Sequence, residues 1–429
     1  MAKEYRHSVY LDQDKCIGCT HCLTRCPTEA IRVRGGKAVI DAERCIDCGQ
    51  CIRVCPYKAK KAKYDSIESI SRFAWKIALP APSFYGQFDH LDDVDYVLQG
   101  LLDFGFDEVF EVARAAELVT DYTRRFLKTY TGPKPVISSA CPVISRLISL
   151  RFPFLTDHVI DMRQPMEMAA MLAKQQAREN HPDLTPDQIG VCFISPCPAK
   201  VSYIKNQPPE ERNIDCVASM SDFYFGLIGI MNRAKAPSMA TESGMIGLSW
   251  AETGGESSAI FNDNYLAADG IENCIRVLDA IETDDLPDLE FVELNACPGG
   301  CVGGVMTVAN PYIAQARLQN LRRYMPVAQN RAPKTDDPNY VPASFICKNT
   351  YDYRPLGQLN DDLSVSLKMM AEIQQIKATL PDLDCGSCGA PTCRALAEDI
   401  VKGTASPDDC IIKIKERLRT LEHREEDTP

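Results

Sequence analysis

The sequence predicts an α/β (α+β) chain in which a central domain of alternating strands and helices is flanked by a small cysteine-rich module at each end. Three observations predict it. From about residue 75 to about 355, short apolar runs of strand length alternate with stretches of helical period. Three of the strand-like runs lead into a Cys-Pro step, at Cys141-Pro142, Cys197-Pro198 and Cys297-Pro298. Most of the remaining cysteines fall into tight sets, at 16–55 and at 385–410. The domains expected are 1–65, 66–358 and 359–429.

Composition narrows the function classes. The chain has 429 residues, 45% of them hydrophobic, enough for two or three ordinary cores, and no apolar run approaches the length of a membrane span. Its formal net charge of -12 argues against a nucleic-acid partner and for a protein or small-molecule one. The N-terminal residues 1–7 lack an apolar signal segment, so a cytoplasmic location is expected. Twenty cysteines in a reducing compartment are not a disulfide framework; they bind metal.

Taken in order, residues 11–56 carry one motif twice, Cys16, Cys19, Cys22, Cys26-Pro27 and Cys45, Cys48, Cys51, Cys55-Pro56. In this C-x2-C-x2-C-x3-C-P spacing three thiolates grip one cubane and the fourth reaches the other. Cys16, Cys19, Cys22 and Cys55 are therefore assigned to one 4Fe-4S cluster, and Cys45, Cys48, Cys51 and Cys26 to a second. His21, between two ligands, is read as a neighbour. The stretch 30–40 reads as a hairpin with a Gly35-Gly36 turn. This module resembles a bacterial-type ferredoxin. The Lys-rich step 57–63 reads as a solvated face and 65–73 as helical.

In the central domain strands are expected at 76–82, 108–112 and 134–139, and helices at 94–104, 115–128, 271–281 and 312–324. Strand ends are where parallel sheets place binding residues. The loops after three strand-like runs supply Cys141, Cys197, Cys297 and Cys301, four thiolates that suit one further 4Fe-4S cluster. Gly299, Gly300, Gly303 and Gly304 let backbone approach something bulky closely. The Pro-rich stretch 335–357 is expected to wrap the domain rather than form core. Residues 363–379 read as an amphipathic helix, and the tail 413–429 as a helix that frays. Between them Cys385, Cys388, Cys393 and Cys410 form a fourth four-thiolate set, similar to a small 4Fe-4S module of some membrane electron-transport and corrinoid proteins. Cys192, Cys216, Cys274 and Cys347 lie in apolar or helical settings and read as small buried hydrophobes.

Over roughly residues 1–350 the chain resembles the iron-only (FeFe) hydrogenases. The family's TSCCP, MPCxxK and ExMxCxxGCxxGG motifs stand here as Ser138-Ser139-Ala140-Cys141-Pro142, Ser195-Pro196-Cys197-Pro198-Ala199-Lys200 and Glu293-Leu294-Asn295-Ala296-Cys297-Pro298-Gly299-Gly300-Cys301-Val302-Gly303-Gly304. Trp250-Ala251-Glu252-Thr253-Gly254-Gly255 is similar to the family's FGxTGG loop. The resemblance implies two lobes, each a small twisted sheet with helices, holding an H-cluster between them. That cofactor is a 4Fe-4S cubane on the four central cysteines, bridged through Cys301 to a diiron subsite carrying CO, CN and a bridging azadithiolate. Lys200 would donate to a cyanide. The implied reaction interconverts H2 with protons and electrons, which pass along the accessory clusters to a redox partner protein, and hydrogenase maturation proteins would supply the cofactor.

The departures from the family pattern matter equally. The relay cysteine of TSCCP is Ala140, whose methyl group moves no proton. The outer relay positions align with Thr123, Phe126 and Gln164, and two methionines of the diiron pocket are Ser195 and Asn295. These changes resemble the sensory branch of the family, in which low turnover serves a separate signalling protein. Glu252 is the candidate replacement relay, with Tyr203 second. The rival reading is a hydrogenase-like iron-sulfur assembly or electron-transfer protein without a diiron site; Lys200 and the paired glycines argue against it.

Overall fold

The computed structural model describes residues 6–231, 237–347, 359–360 and 362–426, with side chains to 419. The extreme N-terminus, the last part of the 335–357 stretch and the last three residues of the tail lie outside these. Two compact units emerge, one built from Met1–Ile46, Gln50–Lys61 and Arg354–Pro429, the other from Asp47–Gly49 and Ala62–Tyr353.

In the first unit the hairpin forms as expected, Ile31–Arg34 against Lys37–Ile40 in antiparallel register. Its turn needs positive φ at both central residues, and Gly35 (φ 55°) and Gly36 (φ 73°) provide it. The C-terminal segment packs onto the outer strand of this hairpin. Val33 N donates to Gly389 O at 2.8 Å. Arg32 Nε and Arg34 Nη2 converge on Asp399 at 2.7 and 2.5 Å, and Arg44 Nη2 meets Glu398 at 2.6 Å. A carboxylate 8% exposed and held by two guanidiniums ties these distant stretches of sequence together. The helix Leu363–Ala378 starts on Asp362, whose side chain accepts from Ser364 N and Val365 N. It packs through Ile373 on Leu380, Ala390 and Leu396, making a small core beside Cys393 and Cys410.

In the second unit two parallel sheets form. The larger runs Glu108–Val109, Trp75–Pro80, Ile189–Ser195, Cys216–Ser219; the smaller runs Tyr265–Asp269, Phe291–Asn295, Val136–Ile137. Ile77, Leu79, Val191, Phe193 and Ile194 are at most 1% exposed, as befits strands covered on both faces. Two expected strands shorten to two residues. The one at 134–139 loses its start to Pro135, and the one at 108–112 yields to the long helix Val112–Thr129. The stretch expected to be helical at 65–73 is a 3-10 helix, Ile67–Arg72, too short to propagate an α-helix.

Cys192 and Cys216 face each other on adjacent strands with Sγ atoms 3.2 Å apart, both buried. Cys274 is also buried, donating to Asn295 O at 3.3 Å, and Cys347 is partly buried. The Lys-rich step departs from its expectation of a wholly solvated face. Lys58 and Lys63 are exposed, but Lys60 is turned inward and only 2% exposed.

Candidate metal centre

Local rules place the central cysteines. A residue before proline is confined to extended backbone, and proline is well suited to the first position of a helix. Cys141 (φ -99°, ψ 104°) and Cys197 (φ -150°, ψ 153°) therefore stand at strand-to-helix junctions, capping Pro142–Arg151 and Pro198–Asn206. Ser195 secures the second junction, its Oγ 3.0 Å from Cys197 O and accepting from Cys197 N at 3.3 Å. Cys297 follows the strand Phe291–Asn295, and Gly300 N donates to Cys297 O to close the turn that brings in Cys301. Cys197 thus comes from the larger sheet, and Cys141, Cys297 and Cys301 from the smaller.

The glycines serve this turn in a way the sequence did not disclose. Their missing side chains make room for the protein's own backbone. A Cβ on Gly303 would lie 2.0 Å from Pro298 O, one on Gly304 2.2 Å from Pro196 O, and one on Gly300 2.6 Å from Thr253 N. Gly300 also has φ 90°, and Gly299 φ 73° with Gln315 Nε2 3.1 Å from its Cβ direction. Gly300→Ala combines a backbone clash with a strained dihedral, so it is expected to destabilise the protein by about 2 kcal/mol or more, read as a lowered Tm.

Electrostatics mark Cys141, Cys197 and Cys301 as neighbours. Burial pushes the Cys197 thiol up to about 12, opposed by Lys200 and reinforced by Cys301 and Cys141. Burial likewise raises Cys301, with Lys200 again opposing. Desolvated thiols around a single cation fit a group that displaces their protons. A mononuclear zinc would need thiolates about 3.8 Å apart, given Zn–S bonds of about 2.3 Å in tetrahedral geometry. Among the described residues none of the cysteine sets brings three thiols within 4.8 Å of one another.

Beside Cys301 opens a cavity of about 50 Å³. Lys200, Glu256, Glu293 and Asn295 bring polar groups to it, while Ala140, Phe193 and Trp250 are among its other walls. The room exceeds that of one water and the lining offers both charge signs, which fits small anionic ligands on a metal pair bound through Cys301. Lys200 Nζ lies 3.5 Å from Ala140 O.

The acids here are Glu256 and Glu293, neither of which the sequence reading selected. Glu293 is well solvated by protein, accepting from Gly254 N (3.0 Å), Ser257 N and Oγ (both 2.9 Å) and Asn295 Nδ2 (2.8 Å). Burial raises it, and these bonds oppose the rise. Glu256 receives Ser138 Oγ at 2.6 Å and is pushed up to about 8, first by burial and then by the charge of Glu293. Ser138 Oγ in turn accepts from Ala140 N at 3.2 Å. Burial and Glu293 therefore favour the protonated form of Glu256, which lies two hydrogen bonds, through Ser138 Oγ, from the backbone N–H of Ala140, the residue aligned with the family's relay cysteine. A signal existed in the sequence, since Glu256 directly follows the FGxTGG-like loop.

The other expected residues disperse. Glu252 pairs with Arg322 at 2.7 Å and does not line the cavity; burial raises it and Arg322 opposes the rise. Tyr203 donates to Glu167 Oε2 at 3.0 Å. Ser195 is consumed by its turn, whereas Asn295 does face the cavity. Gln164 caps Pro165–Asn180 and donates to Ser139 O at 3.2 Å; Thr123 is buried and Phe126 partly buried. In the first unit Cys16, Cys19, Cys22 and Cys55 line one common cavity, and His21 lines it too. Cys26 and Cys55, the two cysteines expected to reach across to the other set, accept from Ala30 N at 3.3 Å and Ala59 N at 3.2 Å. Of the C-terminal set Cys393 and Cys410 are buried, Cys388 is partly so and Cys385 is exposed.

Residues 8–56 match a 4Fe-4S dicluster domain, and 380–412 match a putative Fe-S cluster family. The periplasmic [Fe] hydrogenase large subunit of Nitratidesulfovibrio vulgaris is 25% identical over 374 residues, 72% of this chain and 88% of that protein. Ferredoxin-2 of Desulfomicrobium norvegicum is 52% identical over 33 residues, 8% of this chain and 56% of that one. Among solved structures, a variant of [FeFe]-hydrogenase HydA1 from Chlamydomonas reinhardtii is 18% identical with a TM-score of 0.46, covering 58% of this chain and 84% of that one. An apo variant of the same protein is 17% identical with a TM-score of 0.47, over 60% and 88%. Residues 76–227 and 239–305, half of the chain and the part that carries the four central cysteines and both acids, match the iron only hydrogenase large subunit, C-terminal domain, and the chain belongs to that family.

Proposed function

We propose that this chain interconverts H2 with protons and electrons at an H-cluster, slowly, as a hydrogen sensor rather than a high-throughput enzyme. The observation that carries the reading is the cavity beside Cys301, lined by Lys200, Glu256, Glu293 and Asn295 and flanked by Ala140. Cys141, Cys197, Cys297 and Cys301 would hold the cubane and Cys301 would bridge to the diiron subsite, which when bound supplies the metal and the basic amine needed to split or form H2. Lys200 balances the negative ligands, and the apolar walls keep bulk water out. Glu256 stores a proton at the position from which Ala140 cannot pass one, with Ser138 orienting its carboxyl. A single carboxyl of raised pKa moves protons less freely than a continuous relay, which is why low turnover is expected. The accessory thiolate sets would carry electrons to a redox partner, and a separate signalling protein would read the state of the cofactor.

Infrared spectroscopy of protein produced with the maturation machinery tests the reading, and carbonyl and cyanide bands are the expected result. Matured protein should hold about 18 iron atoms and unmatured protein about 16, for four cubanes with and without the diiron pair. Absence of those bands with about 16 iron atoms would turn the reading toward an electron-transfer or assembly protein. Stoichiometric zinc would sink the cluster assignment itself.

A further inference from the structure

The two ferredoxin motifs are an internal repeat, and the repeat breaks at one buried position. Cys26-Pro27-Thr28-Glu29-Ala30-Ile31 corresponds residue for residue to Cys55-Pro56-Tyr57-Lys58-Ala59-Lys60. The structure keeps the correspondence, because Ala30 N and Ala59 N bond to the Sγ of Cys26 and Cys55 in the same way. Ile31 and Lys60 are each 2% exposed. In one half an apolar side chain fills the site, and in the other an ammonium does. Lys60 Nζ is buried and has no hydrogen-bond partner among the described residues, while Lys60 lines the cavity formed with Cys16, Cys19, Cys22 and Cys55.

A buried cation without a counter-charge is untenable, whereas a four-thiolate cubane is an anion that gains one more negative charge on reduction. We propose that Lys60 is a positioning residue for the cluster on Cys16, Cys19, Cys22 and Cys55, its ammonium supplying charge and a hydrogen bond to that cluster and making it the more easily reduced of the repeat-related pair. The step concerned is uptake of one electron by one cluster, with no proton and no bond broken. This rests on the 4Fe-4S reading of the thiolate sets and is independent of the diiron site. Its consequence is an electron sink at a fixed place in the ferredoxin module. Two clusters held by the same motif would otherwise have near-equal potentials.

The test is an EPR-monitored redox titration of the full chain, produced without the diiron cofactor and reduced with dithionite, in wild type, Lys60→Gln and Lys60→Arg. With iron content unchanged, Lys60→Gln is expected to lower the reduced-to-oxidised ratio of one cluster at least about tenfold at fixed potential, a downward shift of about 59 mV or more for one electron. Lys60→Arg, which keeps the charge, should shift it less than half as far. Ile31→Lys should raise the potential of the other cluster. Unchanged midpoints in a fully loaded Lys60→Gln protein, or equal shifts in Gln and Arg variants, would overturn the proposal. Should Lys60→Gln lose iron, pulsed EPR of wild type labelled with 15N-lysine decides, because an Nζ against the cluster gives a nitrogen coupling and its absence refutes the contact. A wild-type protein with no cubane EPR signal would instead refute the cluster reading.

Discussion

Glu256→Gln should lower H2 turnover by about 100-fold or more, normalised to diiron content, while leaving the carbonyl and cyanide bands in place. Gln keeps the shape and can still accept from Ser138, whose Oγ lies 2.6 Å from the carboxyl, but it cannot release a proton and take it back. Glu256 is pushed up to about 8 by burial and by Glu293, so H2 evolution in the parent protein should fall as pH rises through about 8, and the variant should lose that dependence. The same group bears on stability, and the sign is that of a raised carboxyl. The folded protein binds the proton more tightly than the unfolded chain, so the contribution is fully present below the ordinary value of 4.5 and is lost as pH rises through about 8. A Tm profile flatter in Glu256→Gln than in the parent over that window is the check. Glu252→Gln, by contrast, weakens the pair with Arg322 and should change Tm more than turnover. Full activity in Glu256→Gln with a large loss in Glu252→Gln would reverse the assignment.

Cys301→Ser should abolish the infrared-detectable diiron site and the H2 chemistry together, the largest loss of any single change considered. Of the four central cysteines Cys301 is the one that lines the cavity. A serine oxygen is a poor substitute for a soft bridging sulfur. Cys385→Ser is the control, since Cys385 is exposed and belongs to the other compact unit. It should remove one accessory cluster, about 4 iron atoms, and leave the carbonyl bands. Loss of those bands in Cys385→Ser would make the C-terminal set part of the catalytic architecture.

Much of this protein was legible because its information is local. At Cys141 and Cys197 a Cys-Pro step gives extended backbone followed by a helix start, and Gly35-Gly36 specifies a hairpin turn. Hydrophobic period located the helices Asp95–Phe104, Ile271–Glu282 and Leu363–Ala378 within one residue or so of their observed bounds. What escaped was non-local. Glu252 and Glu256 are the same residue type four positions apart, and only packing turns one to Arg322 and the other to the cavity. The lysines at 58–63 read alike as solvated charge, and only the strand's alternation and the ferredoxin fold bury Lys60 beside Cys16, Cys19, Cys22 and Cys55. The docking of residues 385–410 on the hairpin depends on Arg32, Arg34 and Arg44 meeting Glu398 and Asp399 some 350 positions away, a pairing without sequence period. The sequence by itself determined the family and most of the element types, because each is set by neighbours along the chain. Which acid holds the proton and which cation is buried were decided only by tertiary structure, because desolvation and Coulomb energy depend on distance through space.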